Sequence, residues 1–167
     1  MADQTLIELL YGKAAHTNPL ACVEDLSWEL AGRRADPFPH SIFQLTSHIN
    51  YWVDYELRRI RGEKPVYPQH ASESWPAEPA PANEREWKAA VVRFAKLLAE
   101  MNALAESPAE TLDRPVEAVH PDHSKYSHSL RAVLWQTLVH NSYHLGQIAM
   151  LRRALGAWPP SGGGDSW

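Results

Sequence analysis

Two histidines one helical turn apart are the residues of this chain best suited to metal chemistry. His140 and His144 lie in LVHNSYHLGQ, residues 138–147, within a long apolar segment that has helical periodicity. Residues four apart on a helix differ by about 40° around its axis, so both imidazoles can face one ion and bind it at about 2.0–2.1 Å. The spacing also fits two half-buried histidines that hydrogen-bond to backbone or carboxylate groups, and taken alone it leaves both interpretations open.

A third histidine, on a second helical segment, favours the metal interpretation. His48 borders the apolar face of IFQLTSHINYWVDYELRRI, and Trp52 and Tyr55 follow it on the same side. The three histidines therefore lie at the margins of inward-facing surfaces on two separate helices. Three neutral imidazoles leave coordination positions open for water or substrate, as catalytic zinc sites do.

Asn141, between the first two histidines, argues against a zinc peptidase. Such enzymes place glutamate directly after the first histidine as the general base, and this chain has asparagine there. Asn141 lies near the centre of the inward stripe, so we predict that its amide hydrogen-bonds to a neighbouring helix or a histidine ring and does not bind the metal. Gln136 and Gln147, on the His140 side, and Gln44, near His48, are candidates for orienting substrate or water.

Four helical segments must position these residues, and no segment is predicted to be a strand. The expected ranges are 6–33 with a break at HTNP, 41–62, 83–106 and 127–155. In the first segment, Asn18 is expected to cap the helix that follows the break. Ser41 with Gln44, and Asn83 with Glu86, have the spacing of capping boxes, and Ser127 is expected to cap the last helix.

The helical segments are separated by irregular connections over 63–82 and 108–126, and the first connection contains five prolines. Residues from about 160 to 167 are rich in glycine and are expected to form a flexible tail. Trp167, its last residue, is the one able to dock on the folded domain. His120 and His123 are expected to be solvated loop residues. Together these features predict one all-α domain over residues 1–167, folded as an antiparallel four-helix bundle.

Composition limits the classes of function. A net charge of −4 with no Lys/Arg block argues against a nucleic-acid partner. No apolar run approaches the roughly 20 residues of a membrane span, and no export signal follows Met1. The single cysteine, Cys22, excludes an internal disulfide and favours an inert packing role in a reducing compartment. We therefore expect a cytoplasmic protein that acts on a small molecule.

Two of these segments together resemble the DinB/YfiT-like family of metal-binding helical bundles. The motifs are HSIFQLTSHINYW and HNSYHLGQIAMLRRALG, and the likeness extends from Leu6 to AWPP. The resemblance implies an antiparallel four-helix bundle, usually a homodimer, with one nickel or zinc ion bound by His48, His140 and His144. Characterised members include S-transferases that use a low-molecular-weight thiol, and others are described as metal-dependent hydrolases.

The residues and the resemblance predict a metalloenzyme that activates a thiol or a water molecule. The alternative is a non-catalytic bundle whose metal is structural or adventitious and which acts in protein interaction. The outer side of the last helix carries Trp135, Val139, Tyr143 and Met150, so this helix is apolar nearly all round. We expect a second copy of the chain to cover that side, with coverage by the irregular connections as the alternative.

Overall fold

Three long helices form the body of the molecule. The computed structural model describes residues 3–118 and 128–164. In chain order the elements are α1 (Gln4–Leu10), α2 (Trp28–Ala31), α3 (Ile42–Ile60), the 3-10 helix η1 (Ala71–Ser74), α4 (Glu84–Ala105), α5 (Ala109–Leu112), β1 (Pro115–Val116), β2 (His128–Ser129) and α6 (Leu130–Ala154). The all-α class is confirmed, and no helix in the described ranges is both long and apolar enough to cross a membrane.

The starts of α3 and α4 are determined by local capping. Ser41 Oγ accepts a hydrogen bond from Gln44 N at 3.1 Å, and Ser41 N donates to Gln44 Oε1 at 3.2 Å, so the predicted capping box is confirmed. Asn83 Oδ1 accepts from Glu86 N at 3.1 Å. The second half of that predicted box is wrong, because the Glu86 carboxylate accepts from Ala82 N.

The last helix begins after a short strand that the sequence analysis did not predict. β1 and β2 pair antiparallel, with Val116 opposite His128. Two-residue strands are too short to produce a periodic sequence pattern, and only pairing defines them. Ser129 caps α6 by accepting from Ala132 N at 3.2 Å. The predicted cap Ser127 lies outside the described residues, as do His120, His123 and Trp167.

The predicted helix over 6–33 is wrong. Helix α1 ends at Leu10, a series of turns follows, and α2 has four residues. Gly12, at φ 77°, is left-handed and ends α1. Asn18 Oδ1 does accept from Leu20 N at 2.9 Å, but the turn that it caps does not extend into a helix. With only short helices in this region, the predicted four-helix bundle is not confirmed.

Helices α3 and α4 run side by side in the same direction, so the prediction that neighbouring helices are antiparallel is wrong for this pair. Asn50 Nδ2 donates to Ala90 O at 2.9 Å. Further towards the C-terminal ends of both helices, Arg61 pairs with Glu100. The connection over 63–82 makes this possible. It is long enough to run back along α3, whose 19 residues span about 28 Å.

Helices α3 and α6 run in opposite directions. Leu130 N, at the start of α6, donates to Arg114 O at 2.9 Å, and Arg114 Nη2 donates to Ile60 O at 2.9 Å at the end of α3. Near the middle of both helices, the ring of His48 lies 5.3 Å from that of His140, centroid to centroid. The antiparallel arrangement therefore brings the predicted ligand residues of the two helices to the same level.

A single apolar core joins the inner faces of the helices. Its main members are Leu6 and Leu10 of α1, Ile42, Leu45, Ile49 and Val53 of α3, Phe94, Leu97, Leu98 and Met101 of α4, and Leu130, Leu134, Leu145 and Ile148 of α6. Cys22 is also buried in it, and burial raises the pKa of its thiol to about 11. The thiol is therefore protonated and unreactive at neutral pH, in agreement with the predicted packing role.

Arg152, near the end of α6, holds the N-terminal turns against this helix. Its side chain is 2% exposed and donates to Asp25 Oδ1 at 2.7 Å, to Cys22 O at 2.9 Å and to Ala157 O at 2.9 Å. Asp25 also accepts from Ser161 N at 2.7 Å. Burial alone would raise the pKa of Asp25, but the hydrogen bonds from Arg152 and Ser161 outweigh it and lower that pKa below the ordinary 3.8.

We expect Asp25→Asn to lower the free energy of unfolding at neutral pH by about 3 kcal/mol. This is the low end for a broken buried ion pair, because Asp25 is partly exposed while Arg152 is left buried without its partner. The measurement is urea unfolding of both proteins. Because the folded pKa is depressed, the difference between them should be full above pH 3.8 and should decline as the pH falls below that value.

Asp36→Asn is the matched control, since Asp36 is an exposed carboxylate outside this contact. It should leave the unfolding free energy within about 0.5 kcal/mol of the parent. Equal stability of Asp25→Asn and the parent at neutral pH would contradict the role assigned to the ion pair.

Candidate metal centre

The three predicted histidines form one cluster between α3 and α6. One ring nitrogen from each of His48, His140 and His144 lies within 4.8 Å of the other two. His140 Nε2 and His144 Nε2 are 3.1 Å apart. His48 and His144 are buried and His140 is half-buried. The predicted convergence of the three rings is therefore observed.

The spacing of the two α6 nitrogens fits ligands of a single ion. Two nitrogens at about 2.0–2.1 Å from one ion lie about 2.9 Å apart when the angle between them is 90°, and about 3.4 Å apart at the tetrahedral angle. The observed 3.1 Å lies between these values. A set of three imidazole nitrogens suits zinc, nickel and similar transition metals better than magnesium or calcium, which prefer oxygen ligands.

Hydrogen bonds orient the ring of His48 so that one nitrogen faces the centre. Ser74 Oγ donates to Ala71 O at 2.8 Å, so the same hydroxyl must accept the hydrogen of His48 Nδ1, which lies 3.1 Å away. Ser74 O also faces Nδ1, at 3.3 Å. With the proton on Nδ1, the lone pair of Nε2 is free to bind a metal ion, as metal-ligating histidines require.

His144 has the same arrangement with a different partner. Its Nδ1 lies 2.7 Å from Gln147 Oε1, which can only accept, so Nδ1 carries the proton and Nε2 carries a lone pair. This Nε2 faces His140 Nε2. Gln147, which the sequence analysis placed near the site, therefore holds a ligand ring.

Burial keeps these rings neutral. It lowers the pKa of His48 to about 3, with further lowering from His144 and His140. Burial and the neighbouring His144 lower the pKa of His140 to about 4. Burial also lowers the pKa of His144, although its hydrogen bond to Gln147 acts in the opposite direction. At neutral pH the three rings are therefore uncharged, which is the form that binds metal ions.

Trp75, from the connection after η1, covers the ring of His48. The two rings stack with centroids 3.8 Å apart and planes at 12°. On its other face Trp75 stacks on His40, with ring centroids 3.9 Å apart and planes at 12°, so His40, Trp75 and His48 form one continuous stack. The ring of Trp75 also meets His144 edge-on at 5.8 Å. This indole therefore restricts the orientation of His48 and shields it from water.

The remaining candidates lie at different distances from the centre. Trp52 meets His48 edge-on at 6.4 Å, and the buried Tyr55 packs on Trp52 at 5.4 Å, so both form an aromatic wall behind the ligand. The amide of Gln44 is hydrogen-bonded away from the histidines. Its Oε1 accepts from Ser41 N, and its Nε2 donates to Pro76 O at 2.9 Å. Gln136 is exposed, and within the described ranges no hydrogen bond joins it to the three histidines.

Asn141 is as deeply placed as the sequence predicts. Its side chain is 4% exposed, and a polar contact with it raises the pKa of His140 against the larger effect of burial. Its Oδ1 has no hydrogen-bond partner among the described residues. Hydrogen bonding between Asn141 and a ligand ring or a neighbouring helix remains a prediction.

Ser74, Trp75 and His40 were not predicted from the sequence as residues of this site. All three lie outside the long helices, where no periodicity indicates which side chains face inward. The only available signal was the single tryptophan in SESWPAEP, because a large aromatic residue in a proline-rich connection usually packs on something. Its partner is a neighbour only in the folded chain.

The fold and the site together define a helical protein with a buried cluster of three histidines. A sequence model of the DinB superfamily matches residues 13–148, and the chain belongs to this superfamily. The match includes all three histidines, the whole of the first segment noted above and the second segment as far as Ile148. No curated protein has significant sequence similarity to the chain.

We expect Asn141→Ala to lower the unfolding free energy by about 1–3 kcal/mol and the affinity for a divalent ion by about 10–100-fold, because His140 loses a polar neighbour. Asn141→Leu fills the space without polar atoms and separates packing from hydrogen bonding. Urea unfolding and calorimetric metal titration measure the two effects.

Asn50→Leu is the matched control, since Asn50 is also 4% exposed and its amide bonds to Ala90 of α4 rather than to a histidine. It should cost stability and leave the metal affinity unchanged. If Asn141→Leu keeps both full stability and full affinity, Asn141 has no polar role.

Proposed function

We propose that this protein binds one zinc or nickel ion through His48, His140 and His144 and uses it to activate a small thiol or water for attack on a small-molecule substrate. The observation that carries the proposal is the meeting of three neutral imidazoles, two of which have their proton held on the outer nitrogen by Ser74 and Gln147.

Within this proposal each neighbouring side chain has a defined task. The Ser74 hydroxyl and the Gln147 amide hold the tautomers, and Trp75 fixes the plane of the His48 ring. A divalent ion would supply Lewis acidity, lowering the pKa of a thiol or water bound to it so that a nucleophile is available at neutral pH. The aromatic wall of Trp52 and Tyr55 would keep bulk water away from one side.

A thiol nucleophile agrees best with the residues present. Over the part of the chain that the structure describes, the cluster of ligating groups contains three histidines and no carboxylate, so no general base for water is found in it. A low-molecular-weight thiol needs only deprotonation and then attacks an electrophilic substrate. This assignment places the protein in a reducing compartment such as the cytoplasm, where the buried Cys22 stays unpaired.

The proposal extends to the four-helix bundle that the family resemblance implies. Helix α1 packs against both α4 and α6, which is the position that a fourth helix would occupy. In this arrangement α1 and the turns after it replace one long helix. The two parallel helices α3 and α4 and the opposed α6 complete the bundle.

We expect the purified protein to bind one zinc or nickel ion per chain. His144→Ala should weaken binding more than 100-fold, since a ligand is lost together with its pairing to His140. Isothermal titration calorimetry with each metal is the measurement. His70→Ala is the control, because His70 is an exposed residue before η1, and it should bind as the parent does.

The catalytic part of the proposal has a separate readout. With nickel bound, a small thiol that reaches the ion should produce a thiolate-to-metal charge-transfer absorption band, and a panel of thiols with electrophilic substrates should reveal turnover. Tight metal binding without the band, and without turnover of either thiol or water, would instead support a structural metal in a non-catalytic bundle.

A second copy of the chain is the proposed cover for the outer side of α6. Val139, Tyr143 and Met150 are 64%, 66% and 52% exposed and recur on one side of the helix. Gly146 lies among them, with nothing within 4 Å of the position where a Cβ would be. A glycine there weakens an isolated helix but lets a second helix approach closely. Trp135, predicted for this surface, is half-buried and packs on the core instead.

We expect light scattering at micromolar concentration to give about 38 kDa, twice the chain mass of 18.9 kDa. Val139→Glu should shift the mass towards the monomer, because a charge would be buried at the interface. Val66→Glu places the same change on another exposed valine and should leave the dimer intact. A monomeric mass for the parent protein contradicts the dimer.

A further inference from the structure

A cavity lies on a side of α6 that faces away from the three histidines. It has a volume of about 230 Å³ and lies between α6, the turn at His16 and the residues after α6; we call it the α6 groove. Its lining includes His16, Ser142, Leu145, Ala149, Arg153 and Trp158. Ser142 points about 160° away from His140 and His144 around the helix axis, so the groove and the metal centre are separate.

One end of the groove is formed by Ser142 and His16. His16 Nε2 lies 3.1 Å from Ser142 Oγ, and His16 Nδ1 lies 2.8 Å from Thr17 O. A carbonyl only accepts, so Nδ1 carries a proton. Thr137, on the same helix, instead donates to the carbonyl one turn earlier at 2.8 Å. The contact with His16 Nε2 therefore keeps the Ser142 hydroxyl on the side of α6 that lines the groove.

This pair is suited to binding rather than to acyl transfer. A serine beside a histidine has the arrangement of a nucleophile and its base, but acyl transfer also needs donors for the oxyanion. Ser142 lies in the middle of α6, where the backbone N–H groups bond to carbonyls one turn earlier. Both ring nitrogens of His16 are already hydrogen-bonded, so a polar ligand atom at this end would meet the oxygen of the Ser142 hydroxyl.

The other end of the groove carries a guanidinium that forms no ion pair with a carboxylate of the described residues. Arg153 lies over the Trp158 ring, 3.9 Å from its centroid. Arg152, its neighbour, pairs with Asp25, but among the described residues no carboxylate forms an ion pair with Arg153. Stacking holds the guanidinium in one plane and leaves its N–H edge free for a planar anion.

The charge of the groove is opposite to that of the chain. The protein has a net charge of −4, yet the described residues that line the groove include an arginine and no aspartate or glutamate. Between the two polar ends the floor is apolar, formed by Leu145 and Ala149. A volume of about 230 Å³ is below the roughly 300–1,000 Å³ of pockets for drug-sized ligands, so the ligand must be small.

The distance between the ends limits the ligand further. Ser142 and Arg153 are about 16 Å apart along the helix, but an arginine side chain on a helix reaches back towards the N-terminus by about one turn. The gap between hydroxyl and guanidinium is then about 11 Å. A molecule with a carboxylate at one end, a flat apolar body and a polar atom at the other end spans most of it.

We propose that the α6 groove is a binding site for a small carboxylate with an apolar body, independent of the metal centre. Arg153 binds the carboxylate, Leu145 and Ala149 contact the apolar body, and the Ser142 hydroxyl meets the distal polar atom. The groove would bind its ligand independently of the metal centre, so the two proposals can be tested separately.

4-Hydroxybenzoate is the probe, because it has a carboxylate, a flat ring and a distal hydroxyl. Calorimetric titration of the full protein, as purified with its metal, should give saturable binding with one site per chain. Arg153→Gln should weaken binding about 10-fold or more, the loss expected for a hydrogen-bonded charge. Arg153→Lys, which keeps the charge but not the fork, should fall between the two. 4-Hydroxybenzamide, the neutral analogue, should bind at least about 10-fold more weakly than the acid.

The control variant is Arg85→Gln, which removes an exposed arginine of α4 outside the groove and should bind as the parent does. Unchanged affinity in Arg153→Gln overturns the proposal, and it is also the result expected if the carboxylate binds at the three-histidine centre. Equal affinity for the acid and the amide overturns it as well. Asp165→Asn should leave the affinity unchanged; tighter binding would mean that the chain's own carboxylate competes for Arg153, and would overturn the assignment to a free ligand.

Discussion

Every buried imidazole has two ring nitrogens that need partners, and this requirement organises the region around the three histidines. The Nδ1–H groups of His48 and His144 donate hydrogen bonds to Ser74 and Gln147. The remaining nitrogen of each ring is therefore left for the cluster of three histidines. Burial removes the option of charging the rings, because protonation would bury an uncompensated cation. What remains is a pair of lone pairs, on His48 and His144, close to the ring of His140, and this donor set fits a divalent metal ion.

The topology of the chain follows from the same centre. Helices α3 and α4 run in the same direction, so the chain must return along α3 through the connection over 63–82 before α4 begins. That return brings Ser74 and Trp75 onto the ring of His48. A tight turn into an antiparallel helix would leave Nδ1 of His48 without this partner. The long proline-rich connection is therefore part of the site.

Helix α6 contributes a different part of the protein on each of its sides. At 25 residues it has a core side, a side that carries His140 and His144, an exposed apolar side and the side that lines the α6 groove. Successive residues on a helix are 100° apart, so neighbours in LVHNSYHLGQ serve different sides. A helix with uses on all sides has no simple amphipathic pattern, and its sequence resembles a fully buried helix although part of it is exposed.

Features that depend on local spacing could be predicted from the order of the residues. The start of α3 at Ser41 and the facing of His140 and His144 follow from interactions within about one turn, and a histidine at the edge of an apolar stripe indicated His48. The tertiary structure alone decided what lies far apart in the chain. Partners such as Ser74 for His48, and the shared direction of α3 and α4, depend on how a 20-residue connection is routed, and no local pattern encodes that route. The first predicted helix failed for the same reason, since short turns held by Arg152 replace it and that contact spans more than a hundred residues.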